Sequence, residues 1–155
     1  MLTTPEKAEV YRLGLTVGLF EVPDAVTWAD QVIMAEANPD NAILEVSMAA
    51  DAGTAGMISR LKDAAGDQSP GRPRDVVLAL LGKRLSGDPG AAEGIAAQLK
   101  ALAGAYDSPD AVLKEAAGFS SAYAGAAHGD GSVEDVNASL AAFLARDAAA
   151  STDWA

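Results

Sequence analysis

Apolar residues recur along this chain at the spacing of a helix face. Between residues 23 and 37, Ala25, Trp28, Ala29, Val32 and Ile33 fall on one side of a 3.6-residue turn. Val77, Leu80, Leu81 and Leu85 repeat the pattern, and Ile95, Leu99, Leu102 and Tyr106 follow it. So do Val112, Leu113, Ala116, Phe119 and Tyr123, and then Val133, Val136, Leu140, Phe143 and Leu144. No stretch alternates apolar and polar positions long enough to make a half-buried strand. The periodicity therefore predicts an all-α protein.

Punctuation residues divide the pattern. Thr4-Pro5-Glu6 places a cap residue, a proline whose missing N–H costs nothing, and an acid in the first turn. Val22-Pro23-Asp24, Asn38-Pro39-Asp40, Asp88-Pro89 and Ser108-Pro109-Asp110 open further helices in the same way. Ser132-Val133-Glu134-Asp135 resembles a capping box with Asp135 in the place of Glu or Gln. Gly53, Gly66, Gly87 and Gly129 read as stops. Eight helices follow, over about 5–19, 23–37, 40–52, 54–65, 73–86, 89–105, 109–128 and 132–149. Short connections favour an irregular bundle of antiparallel hairpins, with a short solenoid-like curl as the alternative. Pro-Asp-Ala-Val occurs at 23–26 and again at 109–112, but the flanks do not match, so both are read as helix openings.

One longer break runs from Gly66 to Pro73, with two glycines and two prolines. Splitting the chain there would leave two halves near the lower limit for an independent core. The reading is a single domain over 1–155 with an internal loop at 66–73 and a frayed tail at 151–155.

Composition sharpens the helical reading. Alanine, the best helix former, fills 35 of the 155 positions. Cysteine is absent, which excludes disulfides and thiolate chemistry and fits a reducing compartment. Met1-Leu2-Thr3-Thr4-Pro5-Glu6 has no basic start followed by an apolar stretch, and no run is long enough to span a membrane. The expectation is a cytoplasmic protein.

Candidate chemistry is sparse. His128 is the only histidine, and with Asp130 it falls short of the three or four ligands of a zinc site. It reads as a helix end, where an imidazolium suits the dipole. There is no nucleophile elbow, no phosphate-cradling glycine loop and no calcium loop. Gly118-Phe119-Ser120-Ser121 sits inside a helix, and Glu134 and Asp135 are adjacent and point apart. Gly14-Leu15-Thr16-Val17-Gly18 reads as a close-packing segment. No catalytic residue, metal ligand or cofactor is predicted.

Charge carries more information. The net charge is −11, which argues against nucleic acid and anionic membrane surfaces as partners. No Lys or Arg lies between Arg12 and Arg60, whereas Glu21, Asp24, Asp30, Glu36, Asp40, Glu45 and Asp51 all do. The stretch 60–84 reverses the sign, with six cations against three acids. The acidic run is either a solvated surface or a docking face for a basic protein. Glu21, Asp24, Asp30, Glu36 and Asp40 are the candidate binding residues.

The stretch from Leu13 to Ile33 pairs a leucine-glycine helix with a turn and then Trp28-Ala29-Asp30 on a second helix. It resembles the opening of small uncharacterised bacterial α-helical proteins, some grouped with the immunity proteins of polymorphic toxin systems. The resemblance covers about 20 residues and implies a non-enzymatic binding role, with no catalytic residues to carry over. The expectation is a protein-binding module. A self-associating structural protein, and an enzyme or small-ligand binder with a site assembled in three dimensions, are the alternatives.

Overall fold

A computed structural model describes residues 1–68 and 71–154 and is all-α, with no strand among those residues. The α-helices are α1 (Thr4–Val17), α2 (Val22–Ala35), α3 (Asn41–Ser47), α4 (Gly53–Ala65), α5 (Arg72–Gly87), α6 (Ala92–Gly104), α7 (Ala111–Ala127) and α8 (Val133–Ala145). A 3-10 turn at Pro89–Ala91 precedes α6, and a 3-10 helix at Ala148–Trp154 follows α8. They form two compact helical units, Met1–Ser69 and Pro70–Ala155.

In the first unit α1 packs on α4, and α3 packs on both α2 and α4. Consecutive hairpins are therefore not the whole rule, since the main partner of α1 is α4 and not α2. The capping of α1 explains its start. Thr3 is the cap, one residue earlier than the sequence suggests; its N–H donates to Glu6 Oε2 at 2.7 Å, and its hydroxyl accepts from Glu6 N–H at 3.3 Å. The helix stops at Gly18, whose φ of 79° is the left-handed cap that glycine adopts without a Cβ penalty. The chain then folds back, with Leu19 and Phe20 N–H donating to Gly14 O at 2.7 and 3.2 Å. The Phe20 ring lies against Gly14, where any Cβ would overlap it. The 14–18 segment therefore ends a helix and seats an aromatic ring, and the close approach there is to Phe20, not to another helix. Ala8, Leu15, Trp28, Ile43, Met57 and Leu61 lie in the core of this first unit, with Ile33 packed against them.

In the second unit α6 packs along α7, and α7 along α8. Helix α5 is buried on several sides, through Val76, Val77, Leu78, Ala79 and Leu81, because α8, α6 and both 3-10 segments pack on it. Gly82 lets the backbone of α8 come close, since a Cβ there would stand 3.3 Å from Leu144 O. Asp110 caps α7 by accepting from Leu113 N–H at 3.0 Å, and Ser132 caps α8 by accepting from Asp135 N–H at 3.1 Å. The Tyr123 hydroxyl donates to Asn137 Oδ1, and the Phe119 and Phe143 rings meet at 5.3 Å, joining α7 to α8.

Four expectations need correction. Helix α3 ends at Ser47 rather than 52, and single turns fill 48–52 before Gly53, which opens α4 instead of closing α3. The loop expected at 66–73 is shorter, because Arg72 and Pro73 already belong to α5; Ser69 and Pro70 lie outside the described residues. Residues 151–154 are not frayed: they continue a 3-10 helix that packs against α5, with Ser151 buried and its hydroxyl donating to Ala148 O at 2.9 Å; Ala155 lies outside the described residues. Val133, placed on the apolar face of α8, is exposed because it is the first residue of that helix.

Candidate functional site

The five predicted binding carboxylates all lie on α2, α3 and their flanking turns, and all are exposed. Glu21 precedes α2, and its N–H donates to Asp24 Oδ2 at 2.7 Å. Asp40 caps α3, accepting from Ala42 N–H at 3.0 Å. These three acids sit at helix N-termini, where negative charge is favoured. Asp30 accepts from the Ser47 hydroxyl and so fastens α2 to the end of α3. Glu36 differs. It stands at the C-terminus of α2, where the last turn holds no cation and the helix dipole opposes a negative charge. Helix stability gives no reason for a glutamate there.

None of the five forms an ion pair among the described residues. Beyond Asp40 the acidic surface continues to Glu45 and Asp51, which line a shallow cleft of about 270 Å³ beside Met48. Arg60 approaches Glu45 there at 3.9 Å. Two methionines add apolar area: Met34 is 79% exposed and Met48 77%. Their exposure was not anticipated, but the sequence carried a signal for Met34. It lies on the side of α2 opposite Ala25, Trp28 and Ala29, on the outward face with Thr27 and Asp30.

On α1, the Tyr11 ring meets those of Phe20 and Trp28 at 5.1 Å each, tilted to both. Its phenol is pushed up to about 12, first by burial and then by the Asp24 carboxylate. Elsewhere on α1, Glu9 and Arg12 are buried together, Arg12 Nε donating to Glu9 Oε1 at 2.7 Å. Periodicity alone does not reveal such a pair, since both residues read as ordinary surface positions.

The second unit holds its own charged cluster. Arg74 on α5 donates from Nε to Asp75 Oδ1 at 2.8 Å and from Nη1 to Asp110 at the start of α7. Burial works against the Arg74 charge, but Asp75, Asp110 and Asp147 outweigh it and raise its pKa. Asp147, between α8 and the final 3-10 helix, is raised first by burial and then by Asp75, against the pull of Arg74 and Arg146. Arg74 thus ties the start of α5 to the start of α7, a structural role, and Asp147 is near enough to act on it through its charge. His128 caps the C-terminus of α7 as expected, and Asp130 N–H returns to Gly125 O at 2.9 Å. Among the described residues no three His, Cys, Asp or Glu side chains are grouped to hold a metal ion, and no helix is long and apolar enough to cross a membrane.

No protein-family model, curated protein or solved structure matches the chain.

Proposed function

We propose that the chain is a non-enzymatic protein-binding module that receives a basic partner on the acidic surface of α2 and α3, as an immunity-type protein would receive a basic toxin. The observation that carries this reading is a run of five exposed carboxylates, none of them in an ion pair among the described residues, with the exposed Met34 among them and the exposed Met48 just beyond Asp40. Uncompensated charge raises the potential that steers encounter. Methionine is unbranched and polarisable, so it adapts to an apolar partner surface once contact is made. Glu36 supports the reading, because its position costs helix stability and is explained by an outward-facing task.

The test is to capture partners from source cells with the wild-type chain and with the combined variant Asp24→Asn, Asp30→Asn, Glu36→Gln and Asp40→Asn. Association with a captured basic protein is then timed at low and high salt. The variant should associate about tenfold more slowly at low salt and show a flatter salt dependence. Equal rates and equal salt slopes would show the carboxylates to be a solvated surface only.

A further inference from the structure

The second unit contains a cleft of roughly 480 Å³ that the acidic-surface reading leaves unused. It lies against α5 and α8, over buried Ala79 and Leu144, where Gly82 draws the two helices together. Ala141 and Ala145 of α8 form an exposed apolar wall. A volume between about 300 and 1,000 Å³ with an apolar lining and a few polar groups is the form of a small-molecule site.

The polar groups define the ligand. The chain has 22 Asp and Glu residues, yet among the described residues no carboxylate side chain lines this cleft. What does line it is Lys83, Ser86 and Asn137. Lys83 makes no ion pair among the described residues, whereas its neighbour Arg84 is held by Gln98 at 2.9 Å. Asn137 accepts through Oδ1 from Tyr123, which leaves its amide NH2 as the half available to donate. An ammonium, a hydroxyl and an amide NH2 beside an apolar trough suit an anionic head on a hydrocarbon body. We infer that this cleft binds a medium-chain amphipathic carboxylate, its chain along Ala141 and Ala145 and its carboxylate at Lys83.

The inference is independent of the acidic surface and is tested on the full chain by calorimetric titration with sodium hexanoate, octanoate and decanoate, and with octanol as the neutral control. The wild type should take up decanoate one-to-one, with affinity rising about fourfold per added methylene. Lys83→Gln should weaken octanoate about tenfold and leave octanol unchanged. Ala141→Phe, at an exposed position, should fill the cleft and abolish both, with an unchanged far-ultraviolet dichroism spectrum and melting temperature. An Ala141→Phe chain that unfolds is replaced by Ala145→Phe under the same criteria. No uptake of decanoate, uptake indifferent to the filling variants, or equal loss of octanoate and octanol in Lys83→Gln would each overturn the inference. So would sedimentation showing a dimer that the filling variants disperse without decanoate uptake, because a second copy would then be the occupant.

Discussion

Trp28 is 6% exposed, in ring contact with Tyr11 and set in the same cluster as Leu15. Truncating a large buried aromatic leaves a void that neighbours close only in part, so Trp28→Ala should cost about 3–5 kcal/mol. Chemical denaturation would show it as a lower midpoint at similar slope; an unchanged midpoint would remove Trp28 from the core. Tyr11 makes a separate prediction. Its ordinary pKa of 10.0 is pushed up to about 12, so the folded chain holds the phenol proton more tightly than the unfolded chain does. The stabilising contribution is whole below pH 10 and is lost as pH rises toward 12. Denaturation midpoints should therefore fall through that window in the wild type and fall less in Tyr11→Phe, and a parallel slope in the two would refute it. Trp28 was legible from the helix face it occupies. The raised phenol was not, because its burial beside Phe20 and Trp28, and then the approach of Asp24, come about only through the turn after Gly18.

The helix ends show why periodicity finds elements more readily than boundaries. Apolar spacing reports the buried face, and the faces of α2, α6 and α7 came out as the sequence predicts, with Ala25, Trp28, Leu99, Leu102, Leu113 and Tyr123 buried. Ends depend on single capping bonds and on packing from distant elements. The last element is an example: residues 151–155 read as a frayed tail, yet Ala148–Trp154 forms a 3-10 helix for which α5 provides the packing surface. Asp147 stands at its entrance, beside Asp75 and near Arg74. Burial and then Asp75 raise its pKa above 3.8, so its ionised form is disfavoured in the folded chain. Stability from this residue is present at low pH and lost as pH rises through its folded pKa. Asp147→Asn mimics the neutral form and should stabilise the chain at pH 7. Solvent screening at this partly exposed position limits the gain to within about 1 kcal/mol. The gain should vanish in acid, where the wild-type carboxyl is itself protonated. Melting curves of both proteins at neutral and acidic pH decide it, and a variant no more stable at pH 7 would mean that Arg74 already compensates the charge.

For the whole molecule, charge was the most legible property and also the one with the widest consequence. The first unit carries eleven Asp and Glu against four Lys and Arg, and the second eleven against seven. The sequence located the acidic run and placed Asp24 and Asp40 at helix openings, but it did not show that Asp30 ties α2 to the end of α3 through the Ser47 hydroxyl. Such an excess destabilises a compact chain by self-repulsion, which salt relieves as the screening length falls from about 30 Å at 0.01 M to about 10 Å at 0.1 M. Salt also weakens exposed ion pairs such as Arg146–Glu115 and Arg60–Glu45, an effect of opposite sign. Each exposed pair contributes at most about 1 kcal/mol. The excess of carboxylates therefore wins, and raising sodium chloride from about 10 mM to about 300 mM should raise the melting temperature by several degrees. Changing Asp24, Asp30, Glu36 and Asp40 to their amides should flatten that rise, since the amide oxygen of Asp40→Asn still accepts from Ala42 N–H and the cap of α3 is kept. A melting temperature that falls steadily with salt would mean that ion pairs outweigh repulsion. The free acidic surface would then not be the dominant electrostatic feature of the chain, and the docking proposal would lose its physical basis.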